Sequence, residues 1–362
     1  DATNAVEYLR SRGQLEPGES ATAQVLSGGV SNMVIHVARP GSDDMVLKQA
    51  RPQLNVAEPW YCSVERIWRE VDVLTICSTL LHECRADDAF EVDVPRLLFT
   101  DRDNYLYAMS AAPAGHVVWK RELLSGVARS DVARACGTLL GTLHGRSWHD
   151  GALARQLDDR QFFYDLRLDP YYRQIAAVHK DLAPRIERLI AAVCRERHCL
   201  VHGDFSPKNL LLHGHRLLLI DFEVGHYGDP GFDVGFFLSH LLLKAFYHAP
   251  DSGPWFDLID SFWSGYRAAT EDLVSPDDFN ALLERGILNC AACALARLDG
   301  RSKIDYLHDH ARRDAVRELC RSIFESQPAQ WADARRIAEQ ISRRPGAGLS
   351  PLPGAQPASG YG

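Results

Sequence analysis

The sequence predicts an α+β chain of two lobes, a small antiparallel β-sheet N-lobe followed by a mainly helical C-lobe. Three observations carry that expectation. At 362 residues the chain exceeds what one core usually serves, since single cores stop growing near ~250 residues. Short β-patterned runs fill the stretch up to residue 110. Beyond it, apolar residues recur mostly at helical spacing.

In chain order, the runs 32–38 and 44–50 flank Pro40-Gly41-Ser42-Asp43 and read as a β-hairpin. Val64, Ile67, Trp68, Val71, Leu74, Ser78 and Leu81 predict an amphipathic helix over 63–81. The runs 94–100 and 105–109 then complete the sheet around Asp101-Arg102-Asp103-Asn104. Ala111-Ala112-Pro113-Ala114-Gly115 is a natural hinge, so residues 1–110 form one expected lobe and 111–344 the other. Helices are expected over 131–149, 171–197, 232–247, 255–269, 277–298 and 311–324, with one strand pair at 210–212 and 217–220 between them. Residues 345–362, rich in Pro, Gly, Ala and Ser, read as a disordered tail.

Forty basic against 48 acidic residues leave no basic stripe for a nucleic-acid backbone, so nucleic acid is a poor partner. Nine cysteines, an odd number, suit a reducing compartment. Cys290 and Cys293 form a C-x-x-C without a second ligand pair, inside an apolar helical run, and read as buried side chains, not zinc ligands. The opening Asp1-Ala2-Thr3-Asn4 shows no secretory signal. The longest apolar stretch, 234–246, carries His240 and Lys244 and falls short of the roughly 20 residues a membrane span needs. The expectation is a cytoplasmic protein without a membrane partner, its oligomeric state open.

The chemistry concentrates between Val201 and Phe237. His202-Gly203-Asp204 is followed by Asn209 in a turn-rich loop, then by Asp221-Phe222-Glu223 at the end of an apolar strand and by Asp229-Pro230-Gly231-Phe232-Asp233. The strand before Asp221 is the hairpin partner of the one beginning at Leu210, so the two polar ends meet at one edge. Phosphoryl transfer needs a carboxylate that orients and deprotonates the attacking hydroxyl, and oxygen ligands that hold magnesium on the phosphates. Magnesium favours one or two carboxylates together with substrate phosphates, and Asp221 with Asn209 supplies such a half-cage. Each residue alone reads equally well as a turn former or a cap; the ordered combination does not.

These motifs resemble the aminoglycoside phosphotransferase and choline kinase superfamily, whose catalytic loop reads H-G-D-x-x-x-x-N. The resemblance implies a protein-kinase-like fold, ATP as donor with GTP left open, and Mg2+. It implies Asp204 as catalytic base, Asn209, Asp221 and Glu223 as metal ligands, and His202 and Asp233 as braces of the loop. Within that superfamily the chain is most similar to the methylthioribose kinases. Val46 to Pro52, Glu58-Pro59-Trp60, Glu65-Arg66, Tyr227-Gly228, Gly231 to Gly235 and Leu241-Leu242-Leu243 carry that likeness. Asn209 and the Arg297 to Lys303 segment depart from that family's pattern, which leaves the acceptor open.

The first lobe agrees. Lys48 shares a strand face with Val46 and Ala50, as a lysine reaching for nucleotide phosphates would. Glu70 is the preferred partner to orient it, with Glu65 the alternative. Ser27 to Asn32, with Gly28, Gly29 and Ser31, is expected to form a phosphate-covering turn. Met109, Ser110 and Ala112 resemble the hinge that binds the adenine edge, and His144 reads as core packing.

Two kinase readings follow: a resistance or tailoring kinase acting on an antibiotic hydroxyl, aminoglycoside or nucleoside in type, or a metabolic kinase for methylthioribose or a related sugar. Either takes a small-molecule hydroxyl acceptor, and Asp299, Asp305 and Asp309 are candidate attractants for an amine on it. A third reading, a catalytically dead binding module, finds no support in the intact motif set. The stretch from Asp221 to Asp233 is too short for the activation loop of a protein kinase.

Overall fold

The computed structural model describes residues 1–26, 31–53, 61–82, 84–86 and 90–344. The expected tail, 345–362, and Gly28 and Gly29 lie outside the described residues. The strands are β1 (Thr22–Val25), β2 (Asn32–Ala38), β3 (Met45–Ala50), β4 (Arg85–Ala86), β5 (Phe90–Asp93), β6 (Leu97–Asp101), β7 (Leu106–Ser110), β8 (Val117–Val118), β9 (Cys199–Val201), β10 (Leu210–His213), β11 (Arg216–Leu219) and β12 (His226–Gly228).

The chain is α+β, with a two-lobed, protein-kinase-like arrangement. Its first sheet is antiparallel in the order β1-β2-β3-β7-β6. Alternation along the strands divides the core. Ile35, Val37, Met45, Leu47, Leu106 and Ala108 pack under the helix Ala2–Ser11. Val46, Ala50, Tyr107 and Met109 face the opposite way, into the core that includes the helix Arg66–Leu80 and the helical lobe. Lys48 sits in the central strand, opposite Val34 and Tyr107, and is 5% exposed, so it is no solubilising edge lysine.

A second sheet, β4-β5-β11-β10-β8, is built around the β10–β11 hairpin, with β5 parallel to β11. The expected strand 94–100 starts late: β6 begins at Leu97, after Pro95, which has no N–H for a ladder, and β5, which ends at Asp93, was not expected. The expected helix 171–197 is also broken. Tyr164–Arg173 is π-helical around Pro170, Gln174–Val178 is one short helical piece, and Ala183–Arg195 starts afresh with proline in its first turn. A continuous helix would bury Pro184 in its interior, where the ring clashes with the preceding turn.

The remaining expected helices appear as Ser130–Arg146, Pro230–Tyr247, Gly253–Thr270, Pro276–Asp299 and His310–Ser326. Ser130–Arg146 and Gly253–Thr270 approach closely because Gly137 has no side chain: a Cβ there would meet the Phe262 carbonyl at 2.0 Å. The helices Ala2–Ser11, Trp119–Leu124, Gly151–Gln156 and Trp331–Ser342 were not anticipated from the sequence.

Candidate active site

The β10–β11 hairpin and the loop before it bring the sequence-selected residues to the junction of the lobes. Leu210 pairs with Leu219, which puts Asn209, just before β10, level with Ile220 and beside Asp221. Asp221 has a φ of 76°, a left-handed conformation that strains a non-glycine residue and is concentrated at functional sites. Its carboxylate meets Lys48 Nζ at 3.0 Å, and Lys48 Nζ also meets Glu70 Oε1 at 2.5 Å. Of the two glutamates considered, Glu70 is the one that meets Lys48; Glu65 lies outside this network, near Tyr105.

Burial works against both partners of the Lys48–Glu70 pair. It pulls down the Lys48 ammonium, but Asp221 and Glu70 more than compensate and keep that lysine charged. Burial also pushes the Glu70 carboxyl up, to about 7, against the opposing pull of Lys48. At Asp221, burial is outweighed by Lys48 and Lys208, which hold the carboxyl well below its ordinary value.

Asp204 sits in a ring of donors. Arg167 Nη2 and Lys208 Nζ each approach a different carboxylate oxygen at 2.8 Å, and Asn209 Nδ2 donates to Oδ2 at 2.9 Å and to the Asp204 carbonyl at 3.0 Å. Burial would raise this pKa; the charges of Arg167 and then Lys208 bring it below the ordinary carboxylate value. The amide nitrogen of Asn209 is engaged, so its side-chain oxygen is the atom that could coordinate a metal.

The loop is braced from behind. Asp233 accepts the backbone N–H groups of His202 at 2.6 Å and Gly203 at 2.8 Å, and His202 Nδ1 accepts the Asp204 N–H at 3.1 Å. Gly203 has φ +77°, and a Cβ there would lie 2.8 Å from Val224, so both conformation and space demand glycine. His144 is buried, as expected, and also bonds: one ring nitrogen faces Tyr266 at 2.7 Å and the other Asp233 at 3.3 Å.

Glu223 faces a separate cluster. Ser31 Oγ donates to Oε1 at 2.7 Å, and Arg66 Nε and Asn32 Nδ2 reach Oε2 at 3.1 and 3.4 Å. Arg66 is fully buried and also holds the carbonyls of Ser31, Arg51, Cys62 and Ser63. Ser31, immediately before β2, is thereby tied to the segment after β11. Along the expected hinge, the N–H groups of Ser110 and Ala111 are taken by Arg96 and Asp44 carbonyls, so neither is available to a ligand; Met109 pairs with Val46 and Leu97 inside the sheet, and Ala112 follows the strand.

Three participants escaped the sequence reading. Lys208 lay inside the motif, four residues after Asp204, where an i,i+4 glance could have found it. Arg66 entered only as part of the family likeness, without a role, and Arg167 carried no local signal. Of the acidic residues proposed to attract an amine, Asp299 is engaged by Arg317 at 2.6 Å and His179 at 3.0 Å, and Asp309 caps the helix His310–Ser326. Asp305 faces Lys120 at 3.5 Å.

The Asp221 carboxylate stays ionised, and with the Asn209 side-chain oxygen it offers hard oxygen donors of the kind that fit magnesium. Among the described residues, no three His, Cys, Asp or Glu side chains form a preformed metal cluster.

A family profile described as "phosphotransferase enzyme family" matches residues 22–273. Methylthioribose kinase of Yersinia pseudotuberculosis is 26% identical over 274 residues, covering 67% of this chain and 64% of the relative. The match thus spans less than two thirds of that relative's length. Methylthioribose kinase of Exiguobacterium sibiricum is 26% identical over 337 residues, 81% of this chain and 83% of the relative. Among solved structures, choline kinase from Cryptosporidium parvum is similar with a TM-score of 0.52 at 12% identity, covering 94% of this chain and 98% of that one. Amicoumacin kinase, in complex with AMP-PNP, Ca2+ and Ami, is similar with a TM-score of 0.51 at 15% identity, covering 92% and 97%. At these identities the structural likeness speaks to the fold alone.

Proposed function

This chain belongs to the phosphotransferase enzyme family, and from that membership we propose that it transfers the γ-phosphate of ATP to a hydroxyl of a small, sugar-like acceptor. The observation that carries this reading is the convergence of Lys48, Asp204, Asn209 and Asp221, drawn from both lobes, on one edge of the β10–β11 hairpin. In this reading Lys48, aimed by Glu70, binds the nucleotide phosphates, with Ser31 near them and Met109 to Ala112 along the adenine. Asp221 and the Asn209 carbonyl would hold Mg2+, with Glu223 steadying that segment through Arg66. When bound, the ion neutralises charge on the β- and γ-phosphates. Asp204 accepts a hydrogen bond from the acceptor hydroxyl, points its lone pair along the line of transfer and takes the proton. Lys208, beside Asp204 at 2.8 Å, is positioned to offset the charge that builds on the transferring group.

A methylthioribose-type sugar kinase is the second reading, favoured by relatives of that name over most of the chain. Asn209 and the Arg297 to Lys303 segment favour a pocket refitted for another ring-bearing compound, an antibiotic included. The test is ATP consumption over a panel of sugars, aminocyclitols and nucleoside antibiotics, with Asp221→Ala as control. Turnover that requires magnesium and is abolished in Asp221→Ala supports the proposal; magnesium titration curves unchanged in that variant would overturn it.

A further inference from the structure

Lys208, which touches Asp204, also lines a narrow pocket together with Lys120, His240, Lys244, Arg297 and Tyr306. The pocket has a surplus of donors. Lys244 is 1% exposed, and its ammonium is held not by a carboxylate but by the backbone carbonyl of His240 at 3.1 Å, with the Tyr306 ring 5.3 Å away. Three more buried polar atoms on the same walls, His240 Nε2, Tyr306 Oη and Arg297 Nε, find no hydrogen-bond partner among the described residues. The acid at the rim, Asp305, is exposed and faces Lys120.

Buried polar groups in native proteins are nearly always satisfied, and an unpaired buried ammonium is strongly disfavoured. Here three polar atoms without a partner and one ammonium without a paired carboxylate line the same pocket. Burial, Lys120 and Arg297 together pull Lys244 down to about 7, only partly offset by the more distant Asp305, so among the described residues no carboxylate pairs directly with this ammonium. A neutral or amine-bearing ligand leaves the mismatch in place. An oxyanion removes it, since its oxygens accept from ammonium, guanidinium and phenol alike.

We infer that this pocket receives an anionic oxygen group, a carboxylate or a phosphate, carried by the acceptor whose hydroxyl meets Asp204. The inference rests on the phosphotransferase reading above and narrows its acceptor: a ring compound bearing a negative charge, which is the opposite of an aminoglycoside.

The test compares matched acceptors with Mg2+ and ATP: a neutral sugar, its sugar acid, its sugar phosphate and its amino sugar. The acid or the phosphate should be preferred over the neutral parent by roughly 10-fold or more in kcat/KM, as one charge-assisted hydrogen bond would give, and the better of the two identifies the group. Lys244→Met should collapse that preference, and Tyr306→Phe should reduce it. The second variant removes one oxygen only and carries the test if the first fails to fold. Equal or better use of the neutral or amino sugar, or an undiminished preference in both variants, would overturn the inference.

If no member turns over, inorganic phosphate is titrated calorimetrically into the protein saturated with Mg2+ and AMP-PNP, which fills the nucleotide site. Binding to the wild type that is lost in Lys244→Met or weakened in Tyr306→Phe supports the pocket. AMP-PNP binding without phosphate binding sinks this inference alone, and failure to bind AMP-PNP sinks the phosphotransferase reading with it.

Discussion

Asp204 is held by Arg167 and Lys208 as a carboxylate with a lowered pKa, which makes it a weak base but a well-aimed one. In a loose phosphoryl transfer there is little covalent chemistry for the protein to do, so aim matters more than basicity. Asp204→Asn keeps the shape and loses the charge. It should lower kcat by roughly 10²–10⁴ while leaving the AMP-PNP dissociation constant nearly unchanged; near-normal turnover would remove Asp204 from the base role. Since its pKa lies below the ordinary 3.8, Asp204 ionisation should produce no acid limb in kcat/KM at neutral pH. Lys48→Ala, in contrast, should raise the KM for ATP and leave the acceptor KM close to wild type, because Lys48 faces Glu70 and Asp221 and not the acceptor pocket. A defect confined to the acceptor KM would show the lysine to be misplaced. Asp204, Asn209 and Asp221 could be brought together from the sequence because spacing in one loop and hairpin fixes where they meet, and Lys48 and Glu70 because a strand face and a helix stripe point them at each other. Arg167 was not, since a π-helical turn more than thirty residues upstream brings it to Gly203 and Asp204.

At the scale of elements, the helix Arg66–Leu80 carries two links on one face, Arg66 to Glu223 and Glu70 to Lys48, four residues apart. One helix position therefore sets both the lysine and the segment after Asp221. Removing Arg66 leaves Glu223 a buried charge without its counter-charge. Arg66→Ala should accordingly destabilise the fold by about 3–5 kcal/mol. Adding Glu223→Gln should recover part of that loss, so the double variant is more stable than additivity requires. Urea unfolding of the single and double variants measures this, and strict additivity would show that the two side chains do not act as a pair. The helix and the β2–β3 hairpin were visible as hydrophobic periods of 3.6 and 2. The parallel pairing of β5 with β11 was not, because it joins segments over a hundred residues apart and leaves no local pattern. Pro95 and Pro184, both visible in the sequence, mark where the expected strand is shortened and where the expected helix breaks.

Across the whole molecule, the two-lobed outline followed from a change of period near residue 110, whereas the anion pocket could not be read, being assembled from residues spread between Lys120 and Tyr306. Its charge gives the molecule a pH dependence opposite in range to that of the active-site acids. Asp204, Asp221 and Asp233 have folded values below the ordinary 3.8, so the stability they contribute is present above that value and is lost only as the medium becomes strongly acidic. Lys244 is also depressed, from 10.5 to about 7, but as a base it is the protonated form that the fold disfavours. Between those values the unfolded chain binds the extra proton, so stability rises with pH on this account, and the contribution is lost as pH falls through about 7. Lys244→Met has no proton to bind in either state. In unfolding measurements without ligand it should be more stable than the wild type at pH 6, where the buried charge is fully disfavoured. The gap should narrow steadily towards pH 10.5, and each kcal/mol corresponds to a Tm difference of about 2–4 °C or less in a chain of this size. A variant less stable than the wild type at pH 6, or a gap independent of pH, would mean that the fold already neutralises Lys244, and the case for an incoming anion would lose its footing.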